Sequence, residues 1–160
     1  MQLTPEDVEQ ERVAKLVVGC SQLALRRLGP GRTRAAYVDA LVDELVRRRV
    51  PFQRDVKIPV VHRGIRLDAG HLIELCVLGT VMVDVLTVGS VQVLHCIALR
   101  RRLLVTGVPL GLVTTFGSAR LVLSRVIVRH AGAFCLSEQT SKNADAEQSP
   151  SRGSPAEPPC

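Results

Sequence analysis

The chain has 160 residues and a formal net charge of +6, enough length for one domain with a core of its own. Four acids and two bases from Ser137 onward leave about +8 on residues 1–136, a balance that suits nucleic acid and plain solubility equally. Its apolar runs are short and broken by charges, well below the about 18 residues of a membrane-spanning helix, and the opening Met1-Gln2-Leu3-Thr4-Pro5-Glu6 lacks the basic and apolar regions of a secretion signal.

Thr4-Pro5-Glu6-Asp7 reads as a helix start, with a hydroxyl cap, proline at the first position and acids in the first turn. Val13, Leu16, Val17, Cys20, Leu23 and Ala24 recur at helical spacing until Leu28-Gly29-Pro30-Gly31 stops them. A second helix is expected from about Arg32 to Arg49, burying Tyr37, Val38, Leu41 and Leu45. The arginines that end it, Arg47 to Arg49, suit a helix C-terminus. From Phe52 the period becomes two. Phe52, Arg54, Val56, Ile58 and Val60 fall on one face, Pro59 indicates an edge strand, and Arg63-Gly64 a tight turn.

A hairpin is expected from about His71 to Val88, with two apolar arms meeting at Gly79. Residues equidistant from Gly79 then pair, so Glu74 lies opposite Asp84. Opposed like charges destabilise a sheet, and a buried charge without a partner is costly. Magnesium or manganese held between the two carboxylates removes both objections. Protonation of one acid does so too, as does a salt bridge from a nearby arginine, with Arg34 the candidate. Ser90 is expected to cap a third helix carrying Val91, Leu94, His95, Ala98, Leu99 and Leu103 and ending at Gly107. Leu110 to Phe116 and Leu121 to Val128 read as buried strands. The order α-α-β-β-β-α-β-β implies an α/β fold, a mixed sheet flanked by helices. From Ser137 the chain turns polar and rich in Ser and Pro, which predicts a disordered tail over 137–160 after a domain of 1–136.

Aromatic residues are few (Tyr37, Phe52, Phe116, Phe134), so the core falls to Val, Leu, Ile and Ala. Cys20, Cys76, Cys96, Cys135 and Cys160 are odd in number and scattered, with no CxxC, and predict reduced thiols and a cytoplasmic location. His95 reads as a hydrogen-bonded, partly buried histidine, and alternation sets His71 on the opposite face from Glu74. The run Arg100-Arg101-Arg102 covers most of a helix circumference, so at least one of the three faces the protein.

Several stretches together resemble one family. Gly29-Pro30-Gly31 with Tyr37 and Ala40-Leu41, Val60-Val61-His62-Arg63-Gly64, Leu67-Asp68-Ala69-Gly70, Thr106 to Leu112 and Phe116-Gly117 follow the order and spacing of the GxxExxY proteins. The resemblance covers about residues 4 to 128 and implies the fold of the PD-(D/E)XK nuclease superfamily, a restriction-endonuclease-like mixed sheet. It also implies phosphodiester cleavage dependent on magnesium or manganese, in which an Asp and a Glu hold the metal and a Lys two residues after the Glu orients or activates water. On this sequence the Asp place falls on Glu74, the Glu place on Asp84, the Lys place on Leu86 and the signature Glu on Arg34. The following helix keeps His95 and has Ala98 where the family has glutamine. Two functions follow from the resemblance. One is a catalytically degenerate protein acting by binding nucleic acid or a protein partner; the other is a metal-dependent nuclease with an altered site held by Glu74 and Asp84.

Overall fold

Thr4 caps the first helix as its sequence predicts: its hydroxyl accepts the Asp7 N–H at 3.2 Å, and the Asp7 carboxylate accepts the Thr4 N–H at 2.9 Å. The structure, a computed structural model, describes residues 4–128. The expected polar tail and the domain limit at residue 136 lie outside the described residues. α1 runs Pro5–Leu28 and stops at Gly29, whose φ of 70° a side chain would disfavour. α2 (Arg34–Arg47) is shorter than the spacing predicts. The Thr33 hydroxyl accepts the Ala36 N–H and fixes its start, and the left-handed φ of 55° at Arg49 lies just past its end.

Five strands follow: β1 (Phe52–His62), β2 (Ile65–Val77), β3 (Val81–Leu86), β4 (Leu110–Thr115) and β5 (Val122–Ile127), with α3 (Val93–Thr106) between β3 and β4. They form one sheet in chain order. Only the β3–β4 pair is parallel, and α3 is its crossover. β1 is an edge strand with Pro59 at its register shift, and Arg63-Gly64 makes the two-residue turn between His62 and Ile65, both as expected. The hairpin at Gly79 also has the expected register, with Leu75 opposite Val83 and Val77 opposite Val81.

The sheet separates two apolar layers. Leu75, Val77, Val81, Val83, Val85, Leu110 and Leu112 pack with α1 and α2, and Tyr37, Val38, Leu41 and Leu45 are buried there as predicted. Ile58, Ile73, Cys76, Met82, Leu86, Val113 and Val126 pack under α3. Odd-numbered residues of β3 therefore face the helix pair and even-numbered ones face α3.

Four expectations are corrected. The single face assigned to Phe52 through Val60 is divided: Phe52 packs on the helix-pair side, whereas Val56 and Ile58 pack under α3. The ribbon coils between them, and the backbone at Asp55 is left-handed, φ 53°. β2 starts six residues before His71, because it pairs with β1 from His62↔Ile65 onward. β5 is an edge strand with one buried residue, Val126, rather than a buried strand; being last in the sheet, it has one neighbour and shows one face to solvent. α3 is preceded by Gln92, not Ser90, and Leu94, expected inside, is 70% exposed. The sequence of α3 is apolar on two sides, so spacing alone selects neither.

Candidate functional site

Glu74 stands where the sheet opens. The β2–β3 ladder ends at Leu75↔Val83, and Glu74 lies between Leu75, packed towards the helix pair, and Ile73, packed under α3. Beyond that point the Val85 N–H has no β2 backbone partner. The Glu74 carboxylate takes its place, Oε2 accepting the Val85 N–H at 3.3 Å. Buried amides need such a partner, so part of the role of Glu74 is structural. Its other oxygen, Oε1, accepts from Arg34 Nη1 at 3.0 Å. The salt bridge set against a metal in the sequence reading is therefore formed, at the first residue of α2.

Asp84 is one of the even-numbered residues of β3 and points to the α3 side. Its Oδ2 lies 3.3 Å from Arg102 Nη1, with side-chain exposures of 10% and 17%. Arg102 is the arginine of the 100–102 run that faces the protein, because it follows the buried Leu99 and precedes Leu103 and Thr106 on the packed side of the helix. Sequence reasoning required one of the three to turn inward, because the run covers most of a helix circumference, without selecting which one. The partnership with Asp84 had no signal, since it depends on how α3 crosses the sheet.

The expected cross-strand pair of Glu74 with Asp84 is not formed, since the ladder ends one residue earlier, at Leu75↔Val83. Burial pushes the Glu74 carboxyl above its ordinary range, and the charge of Asp84 adds to that push, against hydrogen bonds and the Arg34 charge that draw it down. A raised carboxyl pKa means that the fold tolerates the protonated form of Glu74 better than the unfolded chain does. Its stabilisation is complete below the unfolded-state value and is lost as pH rises through the folded one. Stability should therefore fall with rising pH above the ordinary glutamate pKa. Glu74→Gln, which keeps an oxygen for the Val85 N–H, should flatten that dependence in urea denaturations across the acid range. An unchanged pH profile would mean that Glu74 carries its charge without strain.

A divalent cation does not fit this arrangement. Each carboxylate already has a guanidinium partner within hydrogen-bonding reach. Leu86, two residues after Asp84 on the same face, is buried with Met82 and Leu99 and supplies no donor. Among the described residues no group of three or more His, Cys, Asp or Glu is placed to hold a metal ion. His95 belongs to the start of α3, where Nδ1 accepts the Gln92 N–H at 3.0 Å; His71 is exposed on β2.

A second ionic cluster was missed. Glu44, 4% exposed, is held by Arg27 of α1 and by Arg48 just past α2, and Arg48 Nη1 is 2.7 Å from Cys20 Sγ. It ties α1 to α2 away from Glu74. Burial pushes the Cys20 thiol up, and Cys76 to about 11, so both stay protonated near neutrality. Cys20, Cys76 and Cys96 are all free.

Comparison with known proteins gives one match. The family model for the PD-(D/E)XK nuclease superfamily matches residues 11–126, most of the chain. No curated protein and no solved structure matches it.

Proposed function

Since the chain belongs to the PD-(D/E)XK nuclease superfamily and has its restriction-endonuclease-like α/β fold, we propose that it is a catalytically degenerate member that binds nucleic acid. Within the superfamily we assign it to the GxxExxY proteins. Gly31 and Tyr37 stand at two of the signature places, and Tyr37 joins them locally: its hydroxyl donates to the Gly29 carbonyl at 2.7 Å and accepts the Arg32 N–H at 3.1 Å.

The observation that carries the reading is the pair of arginines on the pair of acids. Arg34, at the signature Glu place, neutralises Glu74, and Arg102 neutralises Asp84. Two guanidinium charges thus replace the double charge of the cation that the family's chemistry needs. With Leu86 at the lysine place, the residues left do not activate water. Glu74 and Asp84 are remnant site residues held by arginine. What remains suits a phosphate backbone: Arg34 is half exposed and has N–H groups beyond the one spent on Glu74. Lys57, Arg63 and Arg66 are exposed along the β1–β2 ribbon. No described helix is long and apolar enough to cross a membrane, and the free thiols support a cytoplasmic setting.

Duplex DNA titrations test this. Affinity should fall about tenfold or more between roughly 50 and 200 mM salt, as counterion release demands, with or without magnesium or manganese. No cleavage should accompany binding. Manganese-dependent cleavage abolished by Asp84→Asn would reinstate the nuclease with an altered site. Absence of binding at low salt would leave a protein partner as the ligand of this fold.

A further inference from the structure

We infer that the outer face of α3 is a docking strip for an acidic amphipathic helix of a partner protein, a role beyond nucleic-acid binding and independent of it. α3 has two apolar faces. Leu99, Leu103 and Thr106 are buried against the sheet, whereas Val93 (74% exposed), Leu94 (70%), Ile97 (44%), Leu104 (50%) and Val105 (49%) face away from it. At 100° per residue those five lie in one stripe opposite the buried face, with Arg101 in its middle. A helix apolar on both sides is ordinarily covered on both, and exposed apolar surface of this extent ordinarily marks an interaction site.

Charge selects the occupant. Residues 85–128, α3 among them, contain no Asp or Glu, while Arg101 within the stripe and Arg100 at its edge are exposed and have no ion-pair partner among the described residues. A partner helix with apolar residues at every third and fourth position, flanked by glutamate or aspartate, fills the stripe and pairs with both arginines. A second copy fits poorly. In a two-fold antiparallel pairing the middle of α3, Leu99-Arg100, lies at the axis, so Arg100 and Arg101 face their own copies. A phosphate backbone would meet the arginines but leave five apolar side chains against its charge.

The test uses the full-length protein and two synthetic amphipathic helices of about 18 residues, with identical leucine stripes and flanks of glutamate or of lysine. In fluorescence anisotropy the wild type should bind the glutamate helix at least about tenfold more tightly than the lysine helix. Ile97→Glu and Leu104→Glu should each abolish binding. The double variant Arg100→Glu/Arg101→Glu should reverse the preference, which a mere loss of fold would not do. Equal binding of the two helices overturns the proposal, as does binding that survives Ile97→Glu. Sedimentation showing self-association that Ile97→Glu abolishes overturns it in favour of a second copy. Loss of duplex DNA binding in Ile97→Glu, with neither helix bound, overturns it in favour of nucleic acid.

Discussion

Replacing Arg102 with leucine should destabilise the protein by about 3–5 kcal/mol in chelator-treated buffer at neutral pH, the usual effect of removing one partner of a buried ion pair. The size follows from burial. Asp84 is 7% exposed in the sheet, and Arg102 is itself largely enclosed by α3 packing. Among the described residues Asp84 has no other ion-pair partner, so without Arg102 its carboxylate is left buried and uncompensated. Adding Asp84→Asn to Arg102→Leu should return most of the loss, because the uncompensated charge goes with it. Urea denaturation measures both. A loss below about 1 kcal/mol, the range of exposed pairs, would mean that Asp84 is hydrated.

The same variant tests whether arginine stands in for a metal. If arginine stands in for the cation, removing it should make the acid pair receptive again. Manganese should then raise the melting temperature of Arg102→Leu, and leave the wild type where it was. By linkage, a cation that binds only the folded state stabilises it in proportion to the logarithm of its concentration. Equal manganese shifts in both proteins would show that the arginine excludes nothing, and the degenerate reading would lose its main support.

Tyr37→Ala should cost about 3–5 kcal/mol, in line with other buried aromatic truncations. The ring is fully buried and stacks on Phe116 with centroids 4.4 Å apart, which links α2 to the end of β4. Its hydroxyl closes the loop between α1 and α2 through Gly29 and Arg32. Tyr37→Phe keeps the stack and loses the loop bonds, so about 1–3 kcal/mol should go with it. The loop closure also sets the start of α2, where Arg34 meets Glu74. Both variants should therefore weaken DNA binding in parallel with that geometry, whereas a change in stability alone, with DNA affinity intact, would separate the loop from the site.

Much of this protein was legible locally. The cap at Thr4, the stop at Gly29, the Arg63-Gly64 turn, the edge position marked by Pro59 and the Gly79 hairpin register all depend on neighbours a few residues away. Each is governed by a local rule: a hydroxyl for orphan amides, a glycine or a turn for positive φ, a ring without an N–H at an edge. That hairpin register ends at Leu75↔Val83, so the expected cross-strand pair of Glu74 with Asp84 is not part of the ladder.

What the sequence left open was decided by the packing of distant segments. Whether Leu94 or Leu99 faces inward on α3 depends on how that helix crosses the sheet, and an all-round apolar pattern gives no preference. Burial of Leu121 to Val128 depended on whether another strand lay beyond β5. The state of the two carboxylates depended on Arg34 and Arg102, 40 and 18 residues away from them, coming within hydrogen-bonding distance. By itself the sequence determined the elements in outline and the register of the hairpin on which the two acids stand, because those follow from short-range backbone geometry. Only the tertiary structure decided what neutralises those acids, because a charge partner is chosen by distance in space and burial, and neither is encoded in spacing along the chain.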